Sequence, residues 1–201
     1  MCQEVLDVVQ QMDIKDVETK LALQCAPLIT GIKMSNLFII SSSEEESVYY
    51  ILRKTGIAYF RLVEIEDKTT FLLFRRNQLA AYLQDSCVQS ILMECGYEDL
   101  SLRGILHTFM KRYQTYVNEG AGFPHEMGLL LGYPVEDVRG FIDHKGQNFL
   151  YSGYWKVYDN VSEKKQLFQE YENAQKKVVF LMANGLGIRP IIKEWRRLAA
   201  S

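Results

Sequence analysis

The chain has 201 residues, 48% hydrophobic and 24% charged, a globular composition with enough apolar material for one sizeable core. Its 23 basic and 25 acidic residues lie without long runs and leave a formal charge of −2, so no electrostatic footprint for nucleic acid or an anionic membrane stands out. No stretch approaches the ~20 apolar residues of a membrane span, and Met1-Cys2-Gln3-Glu4 lacks a secretion pattern, so one cytoplasmic domain over residues 1–201 is expected.

Apolar residues recur at helical intervals over Val5 to Met12 and over Val17 to Cys25, with Asp13 or Asp16 capping the second helix and Pro27 interrupting it. Asn36 to Ser41 reads as a short buried strand, after which Ser43 and the acidic Glu44-Glu45-Glu46 open a helix that ends near Gly56. Ile57 to Glu66 and Thr69 to Arg75 alternate and are rich in β-branched and aromatic residues, which with the polar turn Glu66-Asp67-Lys68 makes a β-hairpin. Gln78 to Cys95 reads as one helix closing at Gly96. Ser101 caps an amphipathic helix whose inner stripe is Leu102, Ile105, Leu106, Phe109, Tyr113 and Val117.

Beyond Gly120-Ala121-Gly122, the segment from Phe123 to Ile142 packs two small helices and a turn at Gly132-Tyr133-Pro134 into twenty residues. The alternating aromatics of Gln147 to Tyr158 predict a long sheet strand kinked at Gly153. Ser162 starts a long helix that runs to Asn184-Gly185, and Pro190 begins a basic terminal helix with Trp195, Arg196 and Arg197. Strands that come partly as a hairpin and partly between helices predict an α+β fold, with a small mixed or antiparallel sheet and flanking helices.

Reactive groups concentrate in a few places. His125 follows Pro124 at a loop-to-helix junction, where an imidazole can act as base, acid or metal ligand; a helix-capping role is the structural counterpart. Glu126 beside it is a candidate to orient the ring, as is Asp137, although acidic residues in a first helical turn also serve the exposed amide ends. No zinc-protease pattern is present, because Leu129 stands where the second histidine would be. Cys25, at a helix end before Pro27, is a candidate nucleophile for His125 to activate, against its reading as a small buried hydrophobe. The four cysteines, Cys2, Cys25, Cys87 and Cys95, are far apart and read as free thiols of a reducing compartment, with Cys87 and Cys95 assigned to packing.

Lys33 in the Gly31-Ile32-Lys33 turn and Lys156 between Trp155 and Tyr158 are the cations best placed to receive an anionic group. Tyr154, Trp155 and Tyr158 can stack on a planar ligand. His107 and His144 are set apart from these groups, on a polar helix face and in a polar turn.

The ordered segments Cys25-Ala26-Pro27 to Phe38, Pro124-His125-Glu126-Met127-Gly128, Leu131-Gly132-Tyr133-Pro134, Glu136-Asp137-Val138 and Gly153 to Tyr158 resemble a bacterial family known as domain of unknown function 3793. The resemblance spans nearly the whole chain. It implies that these segments meet in one site and brings no mechanism, substrate or cofactor with it.

Three functions are carried forward. The first is binding of a small ligand or cofactor of unspecified identity in a cleft around His125, lined by Lys33, Tyr154, Trp155, Lys156 and Tyr158. The second is a Cys/His-dependent or metal-assisted enzyme using Cys25, His125 and Glu126. The third is helix-turn-helix DNA binding through residues 126–142, where Gly128, Gly132 and Val138 have suitable spacing but Glu136 and Asp137 would face the phosphates. A small molecule is therefore the expected partner, and neither nucleic acid nor a membrane is.

Overall fold

A computed structural model describes residues 8–10, 12–120 and 122–198. Cys2 lies outside them, as do Val5, Leu6, Asp7 and Gln11 of the first expected helix. Helix α1 (Val17–Ile29) begins at Asp16, whose carboxylate accepts the Thr19 N–H at 2.9 Å. Pro27 does not end the helix: Cys25 leaves helical geometry at φ −125°, and the kink accommodates the missing proline N–H.

Three strands follow: β1 (Ser35–Ser41), β2 (Ala58–Ile65) and β3 (Lys68–Phe74), with helix α2 (Glu45–Leu52) between the first two. The cap before α2 sits earlier than Ser43, because the Ser41 N–H donates to the Glu44 carboxylate at 3.0 Å and a 3-10 turn, Ser42–Glu44, intervenes. The strands form one sheet in the order β1-β3-β2, both pairs antiparallel, with Phe38 opposite Phe71 and Leu37 opposite Leu72.

β3 is the centre of the molecule. Its continuous apolar run departs from strict alternation because both faces of a central strand are covered. Phe71 and Leu73 face a layer containing α1, α2 and two later helices, α8 (Val161–Ala183) and α9 (Ile188–Leu198). Leu72 and Phe74 join the opposite layer, built by α3 (Arg76–Tyr82), α4 (Ser86–Glu94), α5 (Leu102–Glu119), α6 (Met127–Leu130) and α7 (Val135–Asp143). Each fully buried Leu or Phe stabilises such layers by roughly 1.5–3 kcal/mol. The fold is α+β, with an antiparallel sheet and flanking helices.

Two expectations fail for local reasons. The helix expected over Gln78 to Cys95 is two helices, because Asp85 turns its side chain back to accept the Cys87 N–H at 2.8 Å and starts α4 afresh. The aromatic stretch from Gln147 to Tyr158 is not a long strand of the main sheet. It forms a separate ribbon of β4 (Tyr151–Ser152) and β5 (Lys156–Val157), turned by Gly153-Tyr154-Trp155, with the Gly153 N–H donating to the Trp155 carbonyl at 3.0 Å. Gly153 lies hard against Phe168 of α8: a Cβ there would come within 2.2 Å of the ring, so the chain can turn at this place only without a side chain. Among the described residues no helix is long and apolar enough to cross a membrane.

Candidate functional site

The site is assembled by two buried carboxylates. After α5 ends at the left-handed Gly120, the chain returns through Phe123 and Pro124 to Glu126, which is only 1% exposed. Glu126 accepts from Arg112 Nε at 2.6 Å and from the Tyr97 hydroxyl at 3.0 Å. Burial, together with the adjacent carboxylate, pushes the Tyr97 hydroxyl up in pKa. With Glu126 anchored inward, its neighbour His125 is turned outward, its ring 5.5 Å from Phe123 and 5.3 Å from Phe141 between centroids.

Asp137, in the first turn of α7 and 2% exposed, is the second anchor. Its Oδ2 accepts from Trp155 Nε1 at 2.7 Å, while Oδ1 accepts from the Tyr158 N–H at 2.7 Å and the Asp159 N–H at 3.2 Å. One carboxylate thus ties the ribbon to α7. Its neighbour Glu136 ties α7 to α8 through Lys164, a 2.6 Å pair whose ammonium is buried. Trp155, so held, stacks on Tyr133 at 4.6 Å and meets the edge of Phe168 at 4.5 Å.

Between these segments lies a cavity of about 230 Å³. Aromatic rings dominate its lining: Phe123, Tyr133, Phe141, Tyr154 and Trp155. His125, Asp137 and Lys156 also line it, and Met127, Gly128 and Val138 complete the wall. Lys156 Nζ donates to the Gly146 carbonyl at 2.6 Å and lies 4.9 Å from the Phe149 ring and 5.6 Å from Phe141, so it shares Phe141 with His125.

The model of the family described as Protein of unknown function (DUF3793) matches residues 21–192. The chain belongs to that family. The match runs from α1 into α9 and takes in the sheet and the whole lining of the cavity. No curated protein and no solved structure matches the chain.

In this DUF3793 chain the cavity unites four of the expected site residues, His125, Tyr154, Trp155 and Lys156, and leaves out four others. Cys25 is 0% exposed in the layer around α1, with its Sγ 3.8 Å from the Leu37 carbonyl and 3.5 Å from Asn36 Nδ2. Burial pushes its thiol up to about 12, so the expected activation by His125 has neither the contact nor the acidity it requires. Lys33 is buried as well; its Nζ donates to Asn36 Oδ1 at 2.7 Å and lies 5.4 Å from the Tyr133 ring, touching the wall of the cavity without entering it. Desolvation lowers its pKa to about 8.

Glu126 does not orient His125, because its oxygen is taken by Arg112 and Tyr97. Tyr158 lies behind α7: a Cβ on Gly140 would be 2.5 Å from its ring, which stacks on His144 at 5.7 Å. His107 binds the Arg103 carbonyl on its own helix, outside the cavity. Cys87 is exposed rather than packed, since the break at Asp85 rotates it out of the expected stripe. Among the described residues no three His, Cys, Asp or Glu side chains converge as a metal site. Residues 126–142 do form two short helices about Gly132, but α6 has four residues and the carboxylates opening α7 are engaged by Trp155 and Lys164.

Phe123, Tyr133 and Phe141 escaped the reading of the sequence. A signal for them exists. Each follows a glycine directly, as does Tyr154, in Gly122-Phe123, Gly132-Tyr133, Gly140-Phe141 and Gly153-Tyr154.

Proposed function

We propose that the protein binds a small planar ligand in the cavity beside His125. The observation that carries this reading is the convergence of five aromatic rings, from segments as far apart as Phe123 and Trp155, on the lining of one open space. Its volume of about 230 Å³ lies between the roughly 150 Å³ that accommodates benzene and the lower bound of about 300 Å³ for drug-sized pockets. A ligand of one or two rings fits that interval. His125 and Lys156 supply the few convergent polar groups that fix orientation in such sites. The wide spacing of the cysteines and the resemblance to bacterial proteins support a bacterial cytoplasmic setting.

The test is a screen of one- and two-ring compounds by protein-observed NMR, repeated on His125→Ala. Because His125 is exposed, its removal should cost less than about 1 kcal/mol of stability while weakening any bound compound by about tenfold. A large stability loss with binding unchanged would return His125 to the role of a loop-stabilising residue.

A further inference from the structure

We infer that the ligand class is a one- or two-ring aromatic carboxylate, its acid group received by Lys156 and its ring by the aromatic lining. This rests on the cavity being a binding site and adds the chemistry of what it selects.

Besides the phenols of Tyr133 and Tyr154, one histidine, one carboxylate and one lysine line the cavity: His125, Asp137 and Lys156. Both oxygens of Asp137 already accept hydrogen bonds from inside the protein, Oδ2 from Trp155 and Oδ1 from two backbone N–H groups, so its negative charge is satisfied by fixed donors and does not reach for a cation. Lys156 is in the opposite condition. Its ammonium makes one hydrogen bond, to the neutral Gly146 carbonyl, and otherwise rests against the Phe149 and Phe141 rings. Among the described residues no carboxylate pairs with it. Lys20 and Lys164 show the contrast, each closing on a glutamate at 2.5 and 2.6 Å.

An ammonium carries three donors, so Lys156 has two left for an acceptor that the protein itself does not provide. A carboxylate is the matching group, because a charge-assisted bond is about twice as strong as a neutral one. His125 borders the same ring: its own ring and Lys156 Nζ stand 5.3 and 5.6 Å from the centroid of Phe141, so both basic side chains line the cavity beside that residue. The rest of the lining offers aromatic faces and edges, which favour an aromatic ring over an aliphatic chain of the same size through offset and edge-to-face contacts. The cavity volume limits that ring system to one or two rings.

The experiment is calorimetric titration of the full chain with benzoate, indole-3-carboxylate, indole-3-carboxamide and benzylamine. Indole-3-carboxylate should bind about tenfold or more tightly than its carboxamide. Lys156→Met should bring that ratio close to one by weakening the carboxylate far more than the carboxamide, and Lys156→Arg, which keeps the charge, should restore the preference. Equal binding of acid and amide to the unaltered protein would overturn the carboxylate class and leave the cavity standing as an aromatic site. A preference for benzylamine would overturn it in favour of Asp137 as the selecting charge. If none of the four bound, the cavity reading itself would fall.

Discussion

The layers around the sheet and the shell around the cavity are held by different physics. Against the sheet the contacts are mainly aliphatic and non-directional, with Leu21, Leu28, Ile29, Leu72 and Leu73 fully buried. Around the cavity the contacts are rings and charges: Glu126, Asp137 and Lys164 are buried there, and the fourth buried charged residue among the described ones, Lys33, lies beside Cys25 and Asn36. Burial of apolar area tolerates small shifts, but a carboxylate between fixed donors does not. The first region therefore supplies stability, and the second supplies position.

Substitutions can separate the two regions. Phe71→Ala removes a ring packed between Tyr49 and Tyr59 at the middle of β3 and should cost about 3–5 kcal/mol in denaturant unfolding. Ligand affinity of the folded fraction should not change. An equal loss of affinity would show that the sheet layer and the cavity are not independent.

Asp137→Ala tests the other side. It strands the Trp155 indole and two backbone N–H groups, so a loss of about 2–4 kcal/mol is expected, accompanied by altered Trp155 fluorescence and abolished ligand binding. A cost under about 1 kcal/mol would mean that the ribbon is held by its aromatic contacts alone.

A smaller effect, visible only against pH, sharpens the comparison at Lys33. Burial lowers the folded amine to about 8 from 10.5, so between those values the unfolded chain binds the extra proton and stability rises with pH. Cys25 acts in the reverse sense: its folded thiol titrates at about 12 instead of 9.0, so the unfolded chain loses its proton first and stability falls with rising pH above 9. In Lys33→Met only the falling contribution remains. The stability of the unaltered protein relative to that variant should grow by about 2 kcal/mol from about pH 8 to about pH 10, measured by urea unfolding. A difference independent of pH would remove the buried-ammonium account of Lys33.

The difference between the regions also explains what could be read in advance. β1, the hairpin of β2 and β3, and α5 with its Ser101 cap and Gly120 stop follow from patterns that act within a turn or a strand pair. The break at Asp85 is concealed by the apolar periodicity that runs through it from Gln78, and only the folded chain shows this residue capping α4. Tyr154, Trp155 and Lys156 were read as site residues, yet on a long strand, because alternation of aromatics cannot distinguish a sheet strand from a ribbon folded against Phe168 and Tyr171.

By itself the sequence determined the α+β class, the helix-starting role of Ser101, a cap at Asp13 or Asp16 that the structure assigns to Asp16, and the clustering of reactive groups between Phe123 and Tyr158. Only the tertiary structure decided that Cys25 and Lys33 are buried beside Asn36 and that Phe123, Tyr133 and Phe141 share a cavity with Trp155. Caps and periodicities arise from neighbours three or four residues apart, which any stretch of chain displays. Whether a thiol is buried or a ring faces a cavity depends on residues far away in the chain, as when Asp137 holds Trp155 and Glu126 holds the loop of His125 against Arg112.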